Sequence, residues 1–516
     1  MVTFYRFRRC RLTSRAAAVH NRPNSLHDYV LRYRTGILDE WKRYPQATAT
    51  CHIELQTMID QRKLLLDAAE RAIQYCNGLP DRRVAPLPRH IARIGELERP
   101  IPDDPCAPEE ALALLDEIGS PASMAMAGPR FFGFVIGGAL PATLAANWLA
   151  TAWDQATGLH HITPMTAKLE QVSLRWLLDI LGLPADCGGG FVTGATMASF
   201  SGLAAARYAV LKQAGWDADS DGLFGAPPIN VYVSDEVHPA VTKSLGLLGL
   251  GRNRLQRLAT DGQGRINTAC LPSVTAPAIV CAQVGNVNTG SMDPVGEICE
   301  RVKHKGIWVH VDGAFGLWAA ASPELRPLIS GVEQADSWAT DGHKWLNVPY
   351  DCGISFVRDH EALRQVMTVS AAYLPPSDER DPSHYTPELS RRPRAVEVWA
   401  ALRSLGRSGV ADLIERCCAH ARHFASGLEN AGFEVLNDVV LNQVLVSFGD
   451  AKKTNRVIAR VQQEGTCWVG GTLWQGHTAM RISVSNWATT NDDVERSLNA
   501  MIRAATTEKL PGCTGL

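Results

Sequence analysis

The stretch IWVHVDGA at residues 307–314 decides the fold of this 516-residue chain. An apolar, β-branched run ends there in one carboxylate followed by two small residues, which is typical of a strand buried on both faces. Comparable runs at residues 230–234, 278–284 and 354–357 alternate with helical stretches between residues 190 and 358. Strands that alternate with helices predict an α/β fold whose large, mostly parallel sheet carries helices on both faces.

Outward from this region, the pattern divides the chain into four predicted segments. They are an N-terminal extension at 1–57, a helical segment at 58–130, the large sheet domain at 131–390 and a small C-terminal domain at 391–516. A long helix after Glu397 and short apolar runs at 444–448 and 480–484 make the small domain α+β.

The composition is that of an ordinary globular protein and excludes several classes. Hydrophobic residues make up 46% and charged residues 20%, so the chain is neither disordered nor fibrous. Fifty-one basic and 53 acidic residues give a net charge of -2, which predicts neither nucleic acid nor an anionic membrane as the main partner. Thirteen cysteines without a CxxC pair predict reduced thiols in a cytoplasmic protein, with no disulfide framework and no metal site.

Two segments admit more than one interpretation. Residues 131–153 are 23 uncharged residues, enough to cross a bilayer, but Gly137, Gly138 and Pro141 interrupt them. We therefore favour a buried helix with a leading loop. Residues 1–22 hold six arginines and no acidic residue, as an organelle presequence does, and a dispensable extension explains them as well.

A turn of small residues, TGATMAS at 193–199, runs into a predicted helix at residues 200–211. Backbone N–H groups that are free at a helix start, helped here by the hydroxyls of Thr196 and Ser199, form a site for an anion such as phosphate. A turn of this composition, taken alone, is more often a place of tight packing. Other motifs must therefore support the anion site.

Two further motifs follow predicted strands, at the edge where open α/β sheets bind ligands. His238, in DEVHP at 235–239, can lay its imidazole flat on an aromatic ring and move a proton, or it is a structural loop histidine. Asp312 directly follows the strand at 307–311, where burial is costly without a cation such as a protonated pyridine nitrogen. A helix cap or a metal-binding carboxylate is the alternative for Asp312.

The fourth motif, DSWATDGHKWLN at 336–347, places Lys344 among bulky apolar residues. Partial desolvation disfavours the charged form of an amine, so Lys344 is a candidate Schiff-base nucleophile rather than a solvated surface charge. A phosphate-binding turn, a ring-stacking histidine, a strand-end acid and a lysine 32 positions later are together the parts that hold pyridoxal 5'-phosphate.

The order and spacing of these motifs resemble fold-type I pyridoxal phosphate enzymes, and more narrowly the group II amino acid decarboxylases, the family of aromatic-L-amino-acid decarboxylase and glutamate decarboxylase. The resemblance runs from about Met58 to Thr490. The matching positions are Thr163-Pro164, Leu169-Glu170, Gly194 to Ser199, His238, Gly285-Asn286, Asp293, residues 311–314 and residues 343–346. The resemblance implies a PLP-dependent carboxy-lyase that forms an amine and CO2, and a homodimer whose N-terminal helices wrap the partner subunit.

The resemblance also implies roles for individual residues. The implied cofactor positions are Lys344 for the Schiff base, Asp312 for the pyridine nitrogen, His238 for ring stacking, Ala195 and Thr196 for the phosphate, and Asn286, Ala314 and His343 for the lining of the cofactor site. Two positions depart from the family pattern: Met197 stands where many relatives carry Glu, and Asp341 where several offer Asn or Ser to the phosphate. A carboxylate there would repel a phosphate dianion unless it were protonated or turned away.

Substrate contacts are expected from three places. The segment FFGFVIG at 131–137 matches a wall of the substrate pocket in relatives, with Phe134 and Val135 as contacts, and its character favours an aromatic or aliphatic side chain. Arg481 is expected near the substrate carboxylate, with a plain ion pair as the alternative. In relatives, a tyrosine on a mobile loop returns a proton to Cα. The corresponding loop here contains Tyr373 and Tyr385, and we prefer Tyr385 as the candidate. The alternative is that Tyr385 only packs within the loop.

The cofactor motifs do not reveal which bond at Cα breaks. An aminotransferase or an aldehyde-forming relative on the same fold is therefore the alternative activity. A catalytically silent protein that keeps the fold is a further alternative, and the presence of Lys344, Asp312 and His238 weighs against it.

Overall fold

The computed structural model describes residues 48–302, 305–369, 371 and 378–507. The described residues divide between two compact units, one drawn from residues 1–74 and 104–114 and the other from 75–103 and 115–516. Most of the predicted extension at 1–57, including its arginine-rich start, lies outside the described residues, as does Tyr373.

Thirteen α-helices lie in the described part of the chain. They are α1 Thr48–Gly78, α2 Pro88–Ala92, α3 Pro108–Ala122, α4 Pro141–Trp153, α5 Pro164–Ile180, α6 Ala195–Gln213, α7 Ala218–Asp221, α8 Pro239–Leu247, α9 Val295–Val302, α10 His360–Met367, α11 Ala395–Asn430, α12 Ala451–Glu464 and α13 Asn491–Thr506. The long helix α11 is kinked at Gly406, whose φ of 62° lies in the left-handed region that glycine tolerates.

Seven strands form the large sheet, in the order β1-β7-β6-β5-β4-β2-β3. They are β1 Gly188–Val192, β2 Asn230–Ser234, β3 Gln256–Leu258, β4 Ala278–Gln283, β5 Ile307–Asp312, β6 Ser337–Asp341 and β7 Gly353–Val357. Of these strands, β7 pairs antiparallel with β1 and β6, whereas the other pairs are parallel. The predicted α/β class, with a large, mostly parallel sheet, is confirmed.

Burial explains why the central strands could be predicted. Every residue of β4 is buried, and so is every residue of β5 except Ile307. A strand covered on both faces reads as an unbroken apolar run, which is the pattern at 278–284 and 307–311. The prediction missed β1, because three of its five residues are glycine, the residue with the weakest strand signal.

A second, four-stranded sheet belongs to the C-terminal part of the chain. Its strands are β8 Glu434–Val435, β9 Gln443–Ser447, β10 Gly470–Trp474 and β11 His477–Ser483, in the antiparallel order β10-β11-β9-β8. Together with α11, α12 and α13 they form the predicted α+β arrangement.

The interpretation of residues 131–153 needs one correction. They contain a loop followed by α4, as expected, but α4 buries few of its residues and leaves Trp148, Leu149 and Trp153 exposed. Its apolar face is therefore not covered by the described residues. None of the described helices is long and apolar enough to span a bilayer.

Candidate active site

The chemically active side chains gather where the strands of the large sheet end. Strands β2, β4, β5 and β6 run parallel, and β1 runs in the same direction because both β1 and β6 pair antiparallel with β7. Val192 at the end of β1 and Asp341 at the end of β6 both pair with Gly353. The loops that follow these strands therefore meet at one edge, which is where open α/β sheets bind their ligands.

The start of α6 faces this edge. A Cβ added at Gly353 would overlap the backbone of Gly194, so only glycine allows β7 to approach the turn that precedes the helix. The Ala195 N–H donates to Oδ1 of Asp341 at 2.6 Å. The Thr196 carbonyl accepts from the Ser244 hydroxyl at 2.8 Å, which ties α6 to α8. The predicted anion site is thus a real helix start, with an acidic side chain already bound to it.

Asp312 is a buried carboxylate with few hydrogen-bond or ion-pair partners among the described residues. Its Oδ1 accepts the Ala314 N–H at 3.2 Å, and no basic side chain in the described part of the chain forms an ion pair with it. Burial raises the pKa of Asp312, while His238 and Lys344 lower it. An ionised carboxylate here is stabilised by a cationic ligand. The Ala314 carbonyl in turn accepts the Asp341 N–H at 3.0 Å, so the ends of β5 and β6 are held together.

His238 directly precedes α8 and caps it. Its Nδ1 accepts the Ala240 N–H at 3.2 Å, so the neutral ring carries its proton on Nε2. Burial lowers the pKa of His238, Asp312 opposes that change, and Lys344 and Arg481 add to it. The imidazole is therefore neutral at neutral pH and presents one N–H.

Lys344 follows β6 and is paired with an acid. Its Nζ lies 3.1 Å from Oδ2 of Asp341, and its side chain is 20% exposed. The following Trp345 and Leu346 are fully buried. The sequence predicted apolar surroundings alone, whereas the structure adds a carboxylate as the partner of the amine.

His343 is held between a strand and an aromatic ring. Its Nδ1 accepts the Cys352 N–H at 3.0 Å, and its ring centroid lies 4.3 Å from that of Tyr350. Burial lowers the pKa of His343 and raises that of Tyr350 to about 12, so both are neutral at neutral pH. Tyr350 was not predicted as a site residue, although it stands in the segment directly after the lysine motif.

Two residues near the end of β4 shape a tight turn. Asn286, predicted to line the cofactor site, accepts the N–H groups of Asn288 at 2.8 Å and Thr289 at 3.2 Å. Asp293 accepts those of Ile266 at 2.7 Å and Gln283 at 2.6 Å. The sequence showed that Asp293 matches a position of the family, but it did not show that the side chain accepts hydrogen bonds from two backbone N–H groups. Burial raises the pKa of Asp293 to about 7.

The predicted substrate wall runs against the lysine loop. A Cβ at Gly137 would overlap the Lys344 carbonyl oxygen, and the Leu140 N–H donates to the Asn347 carbonyl at 2.8 Å. Val135 is buried in the core, whereas Phe134 is 61% exposed and stacks on Trp468 with ring centroids 6.0 Å apart. Of the two predicted contacts, only Phe134 presents an accessible side chain.

Arg481 lies on β11 and is mostly buried. Its Nη1 donates to the Val287 carbonyl at 2.9 Å, and burial lowers its pKa to about 10, so the guanidinium remains charged at neutral pH. No acidic side chain in the described chain forms an ion pair with it, so the plain ion pair considered as the alternative is not observed. The positive charge of Arg481 lowers the pKa of His238.

Tyr385 does not join the other predicted residues. It ends the short 3-10 helix Pro382–Tyr385, and its ring lies close to Gly188 and under the Arg380 guanidinium at 4.1 Å. Gly188 begins β1, and four steps of about 3.3 Å separate that end from the carboxyl end, about 13 Å in all. The structure therefore does not bring Tyr385 together with Lys344 within one chain, because the loop packs along β1.

The remaining residues fit pyridoxal 5'-phosphate. Asp312 is buried and forms no ion pair with a described residue, and Lys344 offers an amine at the same sheet edge. The neutral ring of His238 interacts electrostatically with both. The start of α6 suits a phosphate group. The exception is Asp341, whose carboxylate is bound to the Ala195 N–H.

Fold and site together define a pyridoxal phosphate enzyme of fold type I. The sequence profile described as "Pyridoxal-dependent decarboxylase conserved domain" matches residues 107–449, which is more than half of the chain. The chain therefore belongs to the pyridoxal-dependent decarboxylase family, is a carboxy-lyase, and has pyridoxal 5'-phosphate as its cofactor.

Relatives named for different substrates are about equally similar to this chain. An Aromatic-L-amino-acid decarboxylase of Bacillus atrophaeus is 26% identical over 465 residues, covering 84% of this chain and 93% of that protein. An Acidic amino acid decarboxylase GADL1 of Bos taurus is 28% identical over 323 residues, covering 60% and 61%. The crystal structure of Oryza sativa TDC with PLP and tryptamine superposes with a TM-score of 0.81 at 23% identity, covering 87% of this chain and 98% of that one.

Proposed function

We propose that this protein decarboxylates an L-amino acid with an aromatic or apolar side chain. The observation that carries the proposal is the packing of the segment 131–137 against the Lys344 loop, with Gly137 in contact with the Lys344 carbonyl. This segment contributes the Phe134 ring stacked on Trp468. A wall of aromatic rings favours an apolar side chain, because a second carboxylate would be desolvated there without a partner.

The proposal assigns each cofactor contact to a residue of the site. Lys344 is the amine that bonds to the cofactor aldehyde, Asp312 is the partner of the pyridine nitrogen, and His238 lies against the ring. Ala195 and Thr196 hold the phosphate at the start of α6, and the lining is completed by Asn286, Ala314 and His343. When bound, the cofactor supplies an electron sink for the electron pair that is left when CO2 departs.

The chain's own groups then have defined tasks. The Asp312 carboxylate, buried and without a protein cation, keeps a proton on the pyridine nitrogen. His238 stays neutral and presents its Nε2–H, because Nδ1 is taken by the Ala240 N–H. Arg481 remains cationic and is the candidate partner for the substrate carboxylate. Tyr385 packs along β1 in its own chain, so within that chain we assign it no proton transfer to Cα.

We further propose a cytoplasmic homodimer. Support for the dimer comes from the exposed apolar side chains of α4, namely Trp148, Leu149 and Trp153, and from exposed Leu65 and Leu66 on α1. Large apolar side chains exposed on a helix are typical of protein interfaces. The cytoplasmic location rests on the thirteen cysteines, an odd number with no CxxC pair.

A panel of L-amino acids tests the activity and the substrate together. The purified holoenzyme is incubated with tryptophan, tyrosine, phenylalanine, leucine, glutamate and aspartate, and CO2 and primary amine are measured. We expect kcat/KM for an aromatic substrate to exceed that for glutamate by at least about tenfold. The D-enantiomer of the best substrate is the matched control and should release no CO2.

The products separate the alternatives. A keto acid with the cofactor left in its amine form would indicate an aminotransferase, and an aldehyde with ammonia would indicate the aldehyde-forming activity. No product from any substrate, in a protein that carries the cofactor, would indicate a catalytically silent relative. Preference for glutamate would overturn only the substrate part of the proposal.

A further inference from the structure

We propose that Asp341 sets the affinity for the cofactor by competing with its phosphate group for the start of α6. The inference rests on the proposed function, in which the phosphate lies at this helix start. Asp341 is the one residue of the site that does not suit a phosphate dianion, because it brings a second anion to the same N–H groups.

The contacts of Asp341 tie it to the helix start and to the lysine. Its side chain is 3% exposed, Oδ1 accepts the Ala195 N–H at 2.6 Å, and Oδ2 lies 3.1 Å from the Lys344 amine. Nε2 of His343 lies 3.7 Å from the same oxygen. The carboxylate is therefore an internal anion that satisfies both the helix start and the lysine.

Each of these contacts is one that the cofactor also needs. A phosphate at the start of α6 takes the free N–H groups and the positive end of the helix dipole. The aldehyde takes the Lys344 amine. Binding therefore has to displace Asp341 from the Ala195 N–H and hold two anions close together, and both effects weaken the contribution of the phosphate to affinity.

A neutral side chain at this position removes the charge repulsion between residue 341 and the phosphate. Asp341→Asn keeps the size of the residue and an oxygen that can still accept the Ala195 N–H, but it carries no charge. We expect the variant apoprotein to bind pyridoxal 5'-phosphate about tenfold more tightly than the wild type. Affinity for pyridoxal, which has no phosphate, should change by less than about threefold, since only the amine contact is altered.

The experiment measures dissociation constants of the apoproteins for both ligands, by quenching of tryptophan fluorescence. Asp336→Asn is the matched control, because Asp336 precedes the same strand β6 at its other end, where it accepts the Val309 N–H at 2.8 Å. Its ratio of the two constants should equal that of the wild type. Asp341→Ser is the second variant, in case the Asn form does not fold.

A second measurement uses inorganic phosphate, which cannot react with Lys344. Phosphate should raise the melting temperature of Asp341→Asn apoprotein more than that of the wild type, because it stabilises the form that binds it. Equal effects in the two proteins would count against the inference.

The outcomes are distinguishable from failure of the proposed function. If the affinities for pyridoxal 5'-phosphate and pyridoxal change by the same factor, or if the variant binds the phosphorylated ligand less tightly, Asp341 orients Lys344 or holds the phosphate and the inference is overturned while the decarboxylase remains. If wild-type apoprotein binds no pyridoxal 5'-phosphate, the inference and the proposed function fall together.

Discussion

Two clusters of buried charge in this protein are built in opposite ways. The edge cluster, Glu170 with Arg380 and Arg391, lies along the outer side of β1, and the site cluster, His238 with Asp312, Asp341 and Lys344, lies at the carboxyl ends of the strands. In the edge cluster the Glu170 carboxylate pairs with Arg391 at 2.7 Å and with Arg380 at 3.1 Å.

The arginines of the edge cluster also complete the sheet. Arg391 donates to the Phe191 carbonyl at 2.7 Å and Arg380 to the Gly189 carbonyl at 2.5 Å, so the open edge of β1 has hydrogen-bond partners. The site cluster lacks this balance, because Lys344 is paired with Asp341 and no basic side chain among the described residues pairs with Asp312. The comparison teaches that paired charge stabilises the fold, whereas unmatched charge marks the place for a ligand.

The largest effect is expected from removing the amine of the site cluster. Lys344→Ala should lower decarboxylation by at least about a thousandfold, because the cofactor aldehyde loses its covalent partner. Borohydride reduction followed by peptide mass mapping should find the cofactor on residue 344 of the wild type alone. Lys168→Ala, on the exposed surface of α5, is the control and should keep full activity and labelling. A reduced adduct on another lysine would contradict the assignment.

The second largest effect on activity is expected from neutralising Asp312. Asp312→Asn keeps the shape of the residue but cannot stabilise a protonated pyridine nitrogen, so kcat should fall by about a hundredfold. Its melting temperature without cofactor should stay the same or rise, since a buried carboxylate without a cation is removed. Turnover and calorimetry of the apoprotein check both parts. A clear loss of apoprotein stability would show that Asp312 is a structural charge like Glu170.

Neutralising the acid of the edge cluster should lower the stability of the protein, unlike neutralising Asp312. Glu170→Gln leaves the fully buried Arg391 without its carboxylate, which should lower the free energy of unfolding by about 3 kcal/mol. Urea unfolding measures this. Glu495→Gln removes an exposed partner of His423 and should cost less than about 1 kcal/mol. If the two variants were equally stable, the edge cluster would not be the stabilising one.

The smallest effect on activity is expected for Tyr385, which packs along β1 in its own chain. Tyr385→Phe keeps the ring under Arg380 and removes only the hydroxyl, so kcat should remain within about twofold of the wild type. The rate of CO2 release with the best substrate measures it. A fall of a hundredfold would mean that Tyr385 acts as a proton donor after all, at a site other than the one in its own chain.

Predictions from the sequence succeeded where the signal is local. Strands β2, β4, β5 and β7 were expected within two residues of their observed bounds, because buried strands read as apolar runs. The turn before α6 was found from its small residues ahead of a helical stretch, and Lys344 from the bulky apolar residues around it. His238 and Asp312 were found because each directly follows a predicted strand. The packing of Tyr385 along β1 could not be predicted, because nothing in a loop sequence specifies the surface on which the loop packs.

Short-range pattern thus determined the α/β class, the family resemblance and the order of the cofactor residues, since hydrophobic periodicity and the chemistry of a few motifs are properties of neighbouring residues. Tertiary structure alone decided which groups pair. Asp341 meets the Ala195 N–H across 146 positions of the chain, and Glu170 meets Arg391 across 221. Such contacts depend on how strands and helices pack together. That packing pairs the buried Glu170 with Arg391 and gives the buried Asp312 no ion pair among the described residues.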